Sequence, residues 1–255
     1  MVKRKRSEKR TKADEELLKD IGRIKEDHPF WGYRRVTAWL RYREKKIINT
    51  KRVHRVMKEH GLVCPRKGLK KVADRIPKEK PRATRINQYW GTDMTKIYVE
   101  EFGWTYIVVV LDWFSKKLVG LEISQRCRSS EWLTALDRAV NSRFPNGVKE
   151  HGLRLVSDNG CQPTSIAFQT YCASTGIEQI YTSFNNPKGN ADTERVIRTM
   201  KEELLWLHEW ESPEQVQSAL NRWIHQYNAD YLHSTHGYRS PDEVEGSDVV
   251  KSAVA

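Results

Sequence analysis

Residues 89–124 read Y-W-G-T-D-M-T-K-I-Y-V-E-E-F-G-W-T-Y-I-V-V-V-L-D-W-F-S-K-K-L-V-G-L-E-I-S, and this stretch decides the fold. Residues 89–99 alternate as a strand does. Tyr106–Leu111 is an unbroken apolar run rich in valine, as expected of a strand covered on both faces. Leu118–Ser124 reads as a third strand. The intervals are too short for helical crossovers, so the three strands form an antiparallel meander.

Downstream the period changes. Ser130 is expected to cap a helix that places Leu133, Leu136, Val140 and Phe144 on one side. Leu153–Ser157 reads as a short buried strand ending at Asp158, residues 163–175 as a helix, and Ile177–Tyr181 as a strand. A polar loop, Thr182–Asn190, leads into a long helix that starts near Asn190. The order β-β-β-α-β-α-β-α predicts an α/β domain with a mixed five-stranded sheet flanked by helices. Trp90, Trp104 and Trp113 are expected to pack on the sheet, and Trp206, Trp210 and Trp223 to join the last helices.

Upstream the composition is different. Residues 1–85 hold 29 Lys and Arg against 11 Asp and Glu, a net of +18, whereas the remainder carries −6. Such asymmetry suits a front end that meets a polyanion and a catalytic body behind it. Residues 13–27 read as a helix with Leu17, Ile21 and Ile24 on one face, closed by His28-Pro29. A second helix over roughly 32–43 turns Tyr33, Val36 and Leu40 inward. Asn49 or Thr50 then caps a third helix, ending near Gly61, whose Val53, Val56 and Met57 oppose a basic stripe. That stripe supplies the expected DNA contacts Lys51, Arg52, Arg55 and Lys58, in a small unit of helix-turn-helix type. An ordinary charged helix face is the competing reading. The expected organisation is a helical DNA-binding domain at 1–63, a basic linker at 64–86, a catalytic core at 87–208 and a helical extension at 209–255.

Three acids stand out in the core: Asp93 in W-G-T-D-M-T, Asp158 in L-V-S-D-N-G and Glu194 in N-A-D-T-E-R. Asp93 falls in mid-strand, Asp158 leaves the carboxyl end of a parallel strand, and Glu194 lies one turn into a helix. α/β folds place ligands at such strand ends. Hard oxygen ligands on a half-open site favour Mg2+ or Mn2+, and a pair of such ions suits phosphodiester chemistry on DNA. Each acid also has a plainer reading: a surface acid, a turn residue before Asn159-Gly160, or a first-turn acid favouring the helix dipole. Asp112 is read as a supporting or structural acid. Arg198 and Lys201 share a helix face with Glu194, and with Lys188 they are the basic residues expected to hold DNA near the acids.

Cys64, Cys127, Cys161 and Cys172 form no C-x-x-C pair, which argues against a structural zinc and for a reducing cytoplasm. No apolar run reaches membrane-spanning length, and the basic start is not followed by a signal-peptide core.

On H-P-F-W-G-Y-R-R-V-T-A-W-L, N-T-K-R-V-H-R-V-M, W-G-T-D-M-T, S-D-N-G and A-D-T-E-R-V-I-R-T-M-K, nearly the whole chain resembles the integrase-core transposases of bacterial insertion sequences. The resemblance is to the OrfB product of the IS-three family, related to retroviral integrases. It implies an RNase H-like core, a DDE triad of Asp93, Asp158 and Glu194, cleavage at transposon ends and strand transfer into target DNA. Lys201 falls at the family's basic position. The resemblance further implies action as an oligomer on DNA, often as a fusion with a small upstream product, OrfA. The chain departs from the pattern at Cys161-Gln162-Pro163 and at Tyr231, where relatives carry a basic residue before the tail histidine. A DNA-binding regulator and a structure-specific nuclease are the alternative functions.

Overall fold

The computed structural model describes residues 8–64, 81–182 and 189–253. They divide into two compact units. One joins the described residues before 65 to Leu232–Tyr238, and the other runs from 81 to Tyr231 and resumes at Arg239. Most of the expected linker, and Lys188 with most of its loop, lie outside the described residues.

The first unit holds α1 (Glu8–Asp27), α2 (Tyr33–Tyr42) and α3 (Thr50–Glu59). Their apolar faces meet as the periodicity predicts: Leu17, Ile21, Ile24, Val36, Leu40, Val53, Val56 and Met57 are all buried. Each such side chain contributes roughly 1.5–3 kcal/mol of burial. Asn49 caps α3, its side chain accepting the Lys51 N–H at 2.8 Å. Gly61, at φ +69°, ends the segment in the left-handed region that a glycine enters freely.

The second unit is built on β1 (Tyr89–Val99), β2 (Gly103–Asp112), β3 (Leu118–Ser124), β4 (Arg154–Ser157) and β5 (Glu178–Tyr181). The strand order is β3-β2-β1-β4-β5, which puts β1 at the centre. The first three strands are antiparallel, and β4 runs parallel to both β1 and β5. This is the RNase H-like mixed sheet. The helices are α4 (Ser129–Arg143), α5 (Ile166–Thr175), α6 (Ala191–Met200), α7 (Pro213–Asp230) and α8 (Pro241–Ala253). Trp90, Val108 and Val110 pack with Trp132, Leu136, Val140 and Phe168 in one buried cluster. Gly120 allows α4 to sit close on the sheet, since a Cβ there would lie 2.5 Å from the Ala135 carbonyl oxygen.

Three expectations need correction. Residue Ser130 does not cap α4. The helix starts at Ser129, and the Glu131 carboxylate reaches back to the Arg128 N–H at 2.6 Å. Trp104 is 50 % exposed rather than packed, because the far ends of β1 and β2 are open to solvent there. It carries the Lys96 ammonium 4.3 Å from its ring centre. Trp206 is 63 % exposed rather than packed between helices, whereas Trp210 and Trp223 are buried.

The C-terminal helices brace the sheet. β3 is an edge strand, and buried Asn228 of α7 binds it as a strand would. Its amide accepts the Leu118 N–H and donates to the Leu118 carbonyl, both at 3.0 Å. Ser240 and Glu243 cap α8 reciprocally. Buried Glu245 then takes a bidentate bond from Arg143 at 2.8 and 2.9 Å, together with Ser115 Oγ at 2.9 Å and Lys117 Nζ at 3.1 Å.

Candidate active site

Asp93 lies in mid-β1 opposite Val109. β1 pairs with β4 through Gly91 and Val156. β4 ends at Ser157, so Asp158 leaves its carboxyl end, and its charge acts on Asp93, which points to one face of β1. Gly91 shares that face, and the start of α6 rests on it. A Cβ at Gly91 would lie 2.1 Å from Thr193 Oγ1, 2.3 Å from Trp113 Nε1 and 2.9 Å from Asn190 Oδ1. Only glycine lets the helix approach this closely.

Two hydrogen bonds fix that approach. Trp113 Nε1 donates to Thr193 Oγ1 at 3.1 Å, and Asn190 Nδ2 donates to the Thr92 carbonyl at 3.1 Å. The Asn190 carbonyl in turn accepts the Glu194 N–H at 3.1 Å. Asn190 therefore ties the residue before Asp93 to the turn that carries Glu194. The periodicity did not single out Gly91, Trp113, Asn190 or Thr193 for this role. A glycine inside a strand is the one signal that pointed to a close approach.

The electrostatics couple the three acids. The half-buried Asp93 carboxyl is pushed up to about 6, chiefly by burial and further by the charges of Asp158 and Glu194. The Met94 N–H, donating at 2.8 Å, and the charge of Lys201 act in the opposite direction. Asp158 and Glu194 are exposed. Asp158 Oδ1 accepts the Gly160 N–H at 3.0 Å, and a Cβ on Gly160 would lie 3.0 Å from the same oxygen. Among the described residues, no three His, Cys, Asp or Glu side chains enclose a metal-sized space as they stand. Two of the carboxylates hold local N–H donors, Asp93 that of Met94 and Asp158 that of Gly160. The donor set is nonetheless all carboxylate oxygen, which fits a hard divalent cation.

Lys201 opens a π-helical turn, Lys201–Leu205, that continues α6, and its ammonium lies 5.9 Å from the Trp206 ring centre. Arg198 pairs with Glu202 at 2.8 Å. In α3, Arg52 and Arg55 both bind Asp14 at 2.8 Å, while Lys51 and Lys58 are exposed. Burial alone would raise the Asp14 carboxyl, but the bonds from Arg55 and Arg52 hold it below its ordinary value. Asp112 is fully buried and accepts the N–H groups of Asn87, Phe114 and Ser115 at 2.6–2.9 Å, so it is a structural acid. Among the described residues no helix is long and apolar enough to cross a membrane.

Comparison with known proteins settles the family. Residues 83–187 and 175–241 each match an integrase core domain, and residues 12–70 match an HTH-like domain. The transposase for insertion sequence element IS904 of Lactococcus lactis subsp. lactis (strain IL1403) is 30% identical over 214 residues, covering 78% of this chain and 81% of that protein. The chain belongs to the integrase-core transposases of insertion sequences. The IS629 transposase of Shigella sonnei is 29% identical, over 92% of this transposase and 81% of its own length. The fold also matches a chain of the simian T-cell lymphotropic virus intasome solved with the PP2A regulatory subunit B56 gamma. The TM-score is 0.51 at 18% identity, over 83% of this chain and 69% of that one. The transposase is thus an enzyme that cleaves and transfers DNA strands.

Proposed function

We propose that Asp93, Asp158 and Glu194 form the DDE triad of this transposase and together hold two Mg2+ or Mn2+ ions. The observation that carries this reading is the coupling of half-buried Asp93 on β1 to the charges of Asp158 at the end of β4 and of Glu194 and Lys201 along α6 and its continuation. Bound there, the ions would activate a water or a DNA 3′-hydroxyl and neutralise the leaving oxygen of an in-line displacement. A bound cation would favour the ionised form of Asp93, since opposing charge acts against the upward shift that burial causes. The Gly160 N–H orients Asp158. Glu194 closes the site from the first turn of α6, held in place by the Asn190 and Thr193 contacts. Lys201 places positive charge where a DNA phosphate approaches the acids.

In this reading residues 1–63 bind DNA, 64–86 link, 87–208 catalyse, and 209–255 brace the core. The protein works on paired transposon ends as a homo-oligomer, with an upstream OrfA product as partner or fusion. The test is incubation of labelled element ends with Mg2+, with and without that upstream product, scored for nicking and joining. Wild type does both, and Asp93→Asn, Asp158→Asn and Glu194→Gln each lose about a thousandfold or more in both steps. Full activity in any one variant refutes the triad. Hydrolysis without joining identifies a nuclease, and binding without chemistry a regulator.

A further inference from the structure

The first unit carries a cationic groove distinct from the α3 stripe. Its volume is about 250 Å3, its walls are Arg34, Arg41, Tyr42, Thr50 and Tyr238, and its floor is Thr37 and Ala38. Among the described residues no carboxylate lines it. Arg41 is fixed in place by donating from Nε and Nη2 to the Ile48 carbonyl at 2.9 and 2.6 Å. Arg34 is exposed, its guanidinium 5.7 Å from the Tyr33 ring centre. Thr50 is the first residue of α3, so the positive end of that helix opens here. Tyr42 and Tyr238 stack at 6.4 Å and 27°, with Tyr42 49 % exposed.

Tyr238 reaches this wall through a costly backbone. It has φ +65° and follows Gly237 at +64°, a left-handed pair in which a tyrosine is disfavoured. The tail therefore adds an aromatic ring to the lining of a groove otherwise made by the N-terminal helices. Arg52 and Arg55 of the α3 stripe, by contrast, are already bound to Asp14.

We propose that this groove seats the phosphodiester backbone of duplex DNA, with Arg34 and Arg41 on phosphate oxygens and Tyr42 against the sugar. The proposal rests on the reading that the first unit binds DNA, and it names the residues that anchor the backbone. Contacts of this kind set affinity and salt dependence without reading sequence.

The test is fluorescence anisotropy of the full chain with two labelled duplexes of unrelated sequence, across a salt series. The variants are Arg34→Ala, Tyr42→Ala and the double Arg34→Ala/Arg41→Ala, beside Lys51→Ala/Lys58→Ala, each checked by thermal melting. The double groove variant should lose about tenfold in affinity for both duplexes and flatten the log–log salt slope by about 1.8, as loss of two phosphate contacts requires. Arg34→Ala alone should flatten it by about 0.9, so the test stands even if the double variant does not fold. Unchanged affinity and slope in the groove variants, with loss in the α3 variant, overturns the groove. Unchanged binding in all of them overturns the DNA-binding reading of the unit itself, and the groove with it.

Discussion

At the scale of the residue, Asp93 is the member of the proposed triad whose proton affinity the fold alters. Its carboxyl, raised to about 6 by burial and then by Asp158 and Glu194, binds its proton more tightly in the folded chain than in the unfolded one. The native state therefore holds more protons between the unfolded value of 3.8 and about 6, and stability falls as pH rises through that window. Asp93→Asn removes this penalty. Without divalent metal the variant should melt above wild type at pH 7, by about 1–3 kcal/mol, and the difference should vanish below about pH 4. Thermal melts across pH check this, and an equal gap at all pH values contradicts the coupling. The structural reading of Asp112 was legible from its place at the end of the second strand, and its burial bears that out. Asp158 and Glu194 stand out in their motifs and enter the account as members of the proposed triad. What the sequence could not convey was which basic residues are already engaged, since Arg52, Arg55 and Arg198 find acids on neighbouring turns or helices.

At the scale of the element, the decisive contact is α6 on β1. Strand alternation and helical period located both elements to within a few residues, but no periodicity says how close a helix will sit to a strand. Gly91, Asn190, Thr193 and Trp113 set that distance, and each looks unremarkable when read alone. Gly91→Ala drives a methyl group into Thr193 and Trp113. The expected cost is about 1–3 kcal/mol of stability. Because α6 carries Glu194, strand transfer should fall by at least about tenfold, well beyond the fraction unfolded. Denaturant melts and joining assays on one preparation separate the two effects, and normal joining by a folded variant would remove α6 placement from the account. Ser130 shows the opposite failure. A plausible capping residue lost to Glu131, whose longer side chain reaches the Arg128 N–H.

At the scale of the whole molecule, segments far apart in sequence complete one another. The tail helix α8 returns Glu245 to the core, where it meets Arg143, Lys117 and Ser115. The local sequence around α8 gives no sign of that destination, because long-range pairing leaves no local trace. Glu245→Ala takes the carboxylate from the half-buried Arg143 guanidinium and from Lys117, so it should destabilise the core by about 1–3 kcal/mol in denaturant melts though it touches no site residue. A near-neutral effect would make the tail dispensable.

In the proposed triad the three acids follow the same logic, contributed by β1, the end of β4 and α6. Their shared grip on a cation is tested most directly by Mn2+ titration of the full chain, followed by electron paramagnetic resonance. Wild type should bind Mn2+ at a site that Asp93→Asn, Asp158→Asn and Glu194→Gln each abolish or weaken more than about tenfold. Binding that is unchanged in all three variants would contradict the account.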